Sequence, residues 1–572
     1  MAKTAPPESP DPWRLDLEAI RAGLLGGKGG GSWMQGWLPA TWASPDRFHE
    51  ALFAYAQARS GGKLKSRPRA SYDLYHDLVL AHADTRRTAI ASREGGGWRE
   101  LSYDSLHEAT AGLMTAWQQG GAVPGDSVCV VAPVGVDYAV TVLTALRMGL
   151  VVSVLPPIGA SFVRSRLEAI DPDHVAAPES VRGILGARGK QALPVQGGAR
   201  GPASQSSAGH SPDDVAMQVP PLMRAAAGPP FELTASRLHE ALVRDAVLVY
   251  ALEPTDIMAA PGVDPLSFQP QTLLATLLAG ATWLEVPDRE AQSDPRLLER
   301  ATVLGVSPGL REVLLQRGIE PARGTKTWFH ALTDVLDPRW DELSRLFATR
   351  KVRGLRVLST TGTGGVALFG VRSPEALGLG VWPAPGERWQ LSQIAGGLLP
   401  ALTETGTYTI FRAEEEEDES FGRILLCKLD EAYVYGGSLD PGPRAQAYPA
   451  DEIEALAVRH PGVRHAAALL TPGRWVNESL TVLLLFVEPG GDRAAWPDLV
   501  RTVRATIGEE AGEARVPSRV DVFPLRPRVR DGRLDRAWCR SEYLSGSLTR
   551  KARSELAKTL AQLGYIFGPG RT

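Results

Sequence analysis

Apolar and polar positions fall into blocks along the chain. SVCVVAP (127–133) is a short apolar run, DYAVTVLTALRMG (137–149) has helix length and VVSVLPP (151–157) is apolar again. Two strand-length runs around a helix-length segment predict buried parallel strands joined by a crossover helix. The same alternation begins with a predicted helix over Tyr72–Ala83 and the strands TAIAS (88–92) and WRELSY (98–103), with Ser102 placed to cap the next helix. After the turn VPGD (123–126) and the unit above, the pattern returns at 243–306, with the helix LLATLLAG and the strand ATWLEVP. The prediction is an α/β fold whose sheets are covered by helices.

The two ends of the chain read differently. Residues 1–70 form a Trp- and Gly-rich extension: a Pro-rich start, a short helical pattern from Asp16 to Leu25, the linker-like GGKGGGS (26–32) and a helix over Pro45–Arg59. Trp33, Trp37 and Trp42 need apolar surface, and the chain's own body is the expected cover, with a partner protein as the rival. Residues 71–436 are the expected large domain. Inside it, 186–212 is Gly/Ser/Pro/Ala-rich and predicts a mobile surface loop, and EEEED (414–418) predicts a solvated hairpin turn. Residues 437–572 predict a small α+β domain: the helix DEIEALAVRH, the strands AAALLTP and LTVLLLFVEP, then a helix over Trp496–Glu509. GGSLDPGP (436–443), with Ser438 and Asp440, is the expected hinge.

At 572 residues the chain exceeds what one core usually organises, in line with this division. Its net charge of -3 argues against a nucleic-acid partner, whose phosphates reward clustered Lys and Arg. Cys129, Cys427 and Cys539 lie far apart, with neither disulfide-framework nor metal-ligand spacing. Together with MAKTAPPESPDPW, which lacks the apolar run of a signal peptide, this gives a cytoplasmic expectation. Asp137 and Arg147 interrupt the most apolar stretch, so no membrane span is expected.

VPGDSVCVVAPVGVDYAVTVLTALRMGLVVSVLPP, ATVLGVSPGLREVLL, YPADEIEALAVRHPGVRHAA and DGRLDRAWCRSEYLSGSL follow one another in an order that resembles the adenylate-forming superfamily. The likeness covers roughly 71–550 and is greatest to fatty acyl-AMP ligases and acyl-CoA synthetases. It implies a large adenylation-type domain of mixed sheets with helices and a small α+β C-terminal domain. It also implies chemistry in which a carboxylate attacks the α-phosphate of ATP with Mg²⁺ present. Such a protein must hold phosphates, metal and carboxylate in line and neutralise developing charge.

The residues that would do so depart from the family's pattern. The Ser/Thr/Gly-rich phosphate loop with its Lys aligns with VPPLMRAAAGPP (219–230), which has no Ser, Thr or Lys and four prolines without N–H donors. The segment that binds α-phosphate and Mg²⁺ aligns with LSTTGTGGVAL (358–368). There Thr360, Thr361, Gly362, Thr363 and Gly364 are the candidate ligand-binding residues, and Gly362 stands where the carboxylate would be. TETG (403–406), the other candidate for that motif, lies too close to the hinge. The ribose-binding Asp falls near Leu425, and the catalytic Lys aligns with Arg533, whose planar fork does not reproduce an ammonium. The resemblance therefore implies a pseudoenzyme that binds an acyl group, a carrier protein or a partner subunit, with no cofactor or metal expected. The alternatives are an active non-standard acyl ligase using ATP and Mg²⁺, another acyl-transfer enzyme, or a scaffold docked through the Trp-rich extension.

Overall fold

The structure is a computed structural model. It describes residues 17–18, 20–21, 32–196, 207–219, 230–263, 268–332, 339–360, 364–372, 380–387, 389–393, 407–412, 424–429, 432–438, 450–472, 479–488, 493–512, 515–530 and 533–554. The α/β class expected from the pattern and the mixed sheets implied by the resemblance are what the chain adopts.

The strand–helix–strand unit at 127–157 forms as predicted. Ser127–Val131 and Val151–Leu155 pair in parallel, with the helix Val136–Met148 crossing between them. His174–Ala176 and Val215–Val219 add in parallel on either side, and Phe231–Thr234 closes the edge antiparallel. A second, larger sheet has six parallel strands: Thr88–Glu94, Thr282–Glu285, Ile257–Ala259, Val303–Gly305, Thr327–Ala331 and Arg353–Thr360. From Gly365–Arg372 onward its pairing turns antiparallel and runs through Gly380–Pro383, Ala432–Ser438, Ile424–Leu429, Thr407–Arg412 and Trp389–Gln393. The C-terminal unit has its own sheet, in which Ser479–Val487 pairs with Val463–Pro472 and Arg519–Phe523. Ser102 caps its helix as expected, accepting from Ser105 N–H.

Three expectations need correction. The helix over Tyr72–Ala83 breaks at Val79 into Leu74–Leu78 and a 3₁₀ segment, Leu80–Thr85. Leu74, Tyr75, Leu78, Val79 and Ala81 keep helical spacing and are all buried, but Val79 takes φ -127° and ψ -59°, which ends the α-helix there. The stretch 186–212 is not a free loop where it is described. Leu193 bridges to Ala176, Trp117 Nε1–H donates to the Pro194 carbonyl, and Tyr72 and His210 exchange backbone hydrogen bonds. Backbone groups of Leu193, Pro194 and His210 thus find partners across the fold. Ser438 ends a paired strand, opposite Ile424, so at that residue the expected hinge is part of the large sheet. Asp440, EEEED and most of VPPLMRAAAGPP lie outside the described residues.

Trp37 and Trp42 are covered by the chain itself. Trp37 meets Phe48 edge to face at 5.9 Å, and Trp42 Nε1–H donates to the Ala384 carbonyl at 3.2 Å. Leu17, Ile20, Leu38, Phe48 and Leu52 join the same core as the two large sheets. The side chain of Trp33 lies outside the described set. Among the described residues no helix is long and apolar enough to cross a membrane.

Candidate functional site

The helix Ala235–Arg244 organises the neighbourhood of the candidate loop. Thr234 caps it by accepting from Arg237 N–H, and Leu238, Ala241 and Leu242 bury one face. At its C-terminal end stand two charged residues inside the core, Arg244 and Asp245. Arg244 Nε–H donates to Asp245 at 2.9 Å, one Nη donates to Glu387 at 2.6 Å, and the other donates to the Val366 carbonyl at 2.9 Å. Asp245 in turn accepts from Val366 N–H at 2.9 Å. Burial works to lower the Arg244 pKa, but Asp245 and Glu387 outweigh it and hold the guanidinium above its usual value.

This ion cluster seats the turn of LSTTGTGGVAL. Gly364 has φ +66°, and a Cβ there would lie 3.2 Å from both Leu233 methyl groups. At Gly365 a Cβ would fall 2.3 Å from an Asp245 carboxylate oxygen. One glycine is thus required by backbone conformation and the other by space. Thr360 is the last residue of its strand and pairs with Gly365, while Thr361, Gly362 and Thr363 lie outside the described residues. Leu233 belongs to the strand that emerges from 219–230. The fold therefore sets Gly364 against the strand Phe231–Thr234, which follows 219–230 in the chain.

The other aligned positions are farther along the chain. Leu425 lies in a strand opposite Gly437, and Arg533 opens a two-residue strand opposite Arg530. The side chains of both lie outside the described set. Asp535 caps the helix that follows, accepting from Trp538 N–H.

The C-terminal unit packs on the helix Ala160–Ile170. Arg166 makes a buried ion pair with Glu452, and the guanidiniums of Arg166 and Arg515 lie 4.2 and 4.5 Å from the Phe162 ring centre. Gly159 permits the close approach, since a Cβ there would fall 2.1 Å from the Glu510 carbonyl oxygen.

No protein-family model matches the chain, and no curated protein matches it. Solved structures do. A fatty acid AMP ligase from Legionella pneumophila aligns with 83% of this chain and 96% of its own, at TM-score 0.57 and 12% identity. A double mutant of o-succinylbenzoate CoA synthetase from Bacillus subtilis, bound with a product analogue, aligns with 81% and 97%, at TM-score 0.59 and 13% identity. An amide bond synthetase from Marinactinospora thermotolerans aligns with 82% and 99%, at TM-score 0.59 and 14% identity. The chain has the adenylate-forming fold.

The carboxylates beside the turn, Asp245 and Glu387, are both engaged by Arg244. Among the described residues no group of three His, Cys, Asp or Glu side chains is arranged to hold a metal ion. Sequence reasoning missed Arg244, Asp245 and Glu387. The available signal was an Arg–Asp pair at the end of the apolar helix RLHEALVRDAV (237–247), where unpaired charge would be costly to bury.

Proposed function

We propose that this chain is a non-adenylating protein on the adenylate-forming fold, a pseudoenzyme that binds an acyl or carboxylic-acid group, a carrier protein or a partner subunit. The observation that carries the reading is the state of the turn at Gly364–Val366. The charged groups beneath it, Arg244, Asp245 and Glu387, are engaged with one another, and its neighbour strand continues from a segment with no Ser, Thr or Lys. A triphosphate at this place would meet few donors and no ammonium, so the in-line positioning that makes the attack fast would be lost. Its likeness to acyl ligases supports retention of the acyl or carrier side, which the nucleotide contacts do not control.

The test is calorimetric titration with ATP and Mg²⁺, paired with pyrophosphate release over a panel of fatty acids. The expected result is no heat at about millimolar nucleotide and no pyrophosphate. A micromolar Kd, or release with any acid, would overturn the reading in favour of an active acyl ligase. The double variant Gly362→Glu with Arg533→Lys is expected to stay inactive. Activity should return only when 219–230 is also replaced by a Ser/Thr/Gly-rich loop with its Lys.

A further inference from the structure

A second site-like feature lies beside the same helix and is built differently. A cavity of about 480 Å³ opens between the helix Pro45–Arg59, the turn at Arg69–Tyr72, the first turns of Ala235–Arg244 and the bend at Gly386–Glu387. That volume is in the range of small-molecule sites. Its wall carries four carboxylates, on Asp46, Asp213, Glu240 and Glu387, against the two guanidiniums of Arg69 and Arg237.

Glu240 is the wall carboxylate whose ion-pair contact, among the described residues, is with a histidine and not with a guanidinium. Arg69 is taken by Asp46 at 2.8 Å and Glu50 at 3.4 Å, and Arg244 is taken by Asp245 and Glu387. Arg237 lies 5.4 Å from the Phe231 ring centre. Among the described residues the basic group within 4 Å of Glu240 is His49, whose Nε2 is 3.9 Å away, while Arg69, Arg237 and Arg244 act on it from farther off. His49 supplies no charge: burial first, and then Arg244, push its pKa down to about 3. It is only 7% exposed, its Nε2–H donates to the Gly386 carbonyl at 3.0 Å, and Nδ1 has no partner. The wall thus holds a carboxylate to which no side chain among the described residues donates a hydrogen bond.

We propose that this cavity binds an organic ammonium ion, with Glu240 receiving its charge. An ammonium offers several donors and one positive charge, which is what Glu240 and the acid-rich wall lack. The volume and the Tyr72 ring in the wall suit an alkylammonium better than a bare metal ion, for which no ligand group of three exists among the described residues.

The experiment titrates the intact protein with n-butylamine, with n-butanol and butyrate as controls, by calorimetry at pH 6 and pH 8. Butylamine is expected to bind and the two controls are not. Glu240→Gln should weaken binding by about tenfold or more, and Arg237→Ala should strengthen it by removing a like charge. Burial and Glu387 push Glu240 up to about 7. His49 stays neutral, and burial keeps Tyr72 a phenol, above its ordinary value. The other charged groups facing Glu240 are Arg69, Arg237, Arg244, Asp46, Asp213 and Glu387, and Glu240 is the wall carboxyl pushed into this window. Affinity should therefore rise about tenfold from pH 6 to pH 8, while the ligand stays an ammonium. No butylamine binding, equal binding of butyrate, or a wild-type affinity independent of pH would overturn the proposal. The Arg237→Ala and pH arms decide the matter if Glu240→Gln does not fold.

Discussion

Removing Glu452 should release the C-terminal unit from the rest of the protein. The Arg166 and Glu452 side chains are 5% and 8% exposed, and the pair joins the helix Ala160–Ile170 to the helix Ala450–Val458. Two guanidiniums already share the Phe162 ring, and burial followed by repulsion from Arg515 pushes Arg166 down to about 10. Glu452→Ala leaves Arg166 buried beside a like charge. Breaking a buried pair in this way costs about 3–5 kcal/mol, and the lower end shifts the docked-to-undocked ratio by about two orders of magnitude. Native-state hydrogen exchange reads the effect directly. Amides of Ala160–Ile170 and Trp496–Ala511 should exchange faster by a factor of that order, while the strands Thr327–Ala331 and Arg353–Thr360 keep their wild-type protection. Arg166→Met with Glu452→Met should recover most of the protection, because an apolar pair replaces the ions without stranding a charge. Gly159→Ala should undock the unit with all charges intact, given the 2.1 Å approach. Unchanged exchange in Glu452→Ala, or an equal rise in every segment, would refute a lock at this interface.

Two other predictions concern the large domain. Gly364→Ala should lower stability by about 1–2 kcal/mol, read as a shift in the urea midpoint at unchanged slope, because φ is +66° and the new methyl meets Leu233 at 3.2 Å. A midpoint equal to wild type would contradict the assigned turn. Burial pushes Glu285 up from 4.5 to about 8, against a hydrogen bond from Trp283 Nε1. The folded chain therefore holds a proton there that the unfolded chain releases near 4.5, so this residue's contribution falls as pH rises from 4.5 to 8. The Tm difference between wild type and Glu285→Gln should shift against wild type across that window, and a constant difference would show Glu285 to be solvated.

What the sequence made legible was local. The unit at 127–157 follows from apolar runs of two lengths, and the Ser102 cap from one side chain and the amide three residues on. The resemblance placed the two motif segments, and the fold puts Gly364 against Leu233. Features made by distant residues were not legible. Arg244 meets Glu387 across 143 positions, and Arg166 meets Glu452 across 286. No periodicity encodes such a pairing: the sequence around Arg244 signals a buried charge but not that Glu387 is its partner. The N-terminal helices are a related case. Their composition announced a need for cover, but only the fold shows Phe48 and Leu52 completing the main core.

The helix Ala235–Arg244 ties the two parts of the functional argument together. Its first turns, with Arg237 and Glu240, face the cavity, while Arg244 holds the turn at Val366. Glu387 belongs to both, since it lines the cavity and accepts from Arg244. A carboxylate cannot relax fully toward two neighbourhoods at once. While Arg244 holds Glu387, that carboxylate stays near Glu240 and repels it, which keeps Glu240 poised between charged and neutral forms. The buried network that seats the turn at Val366 thus also sets the charge of the cavity wall, because Arg244 fixes the one carboxylate that faces both.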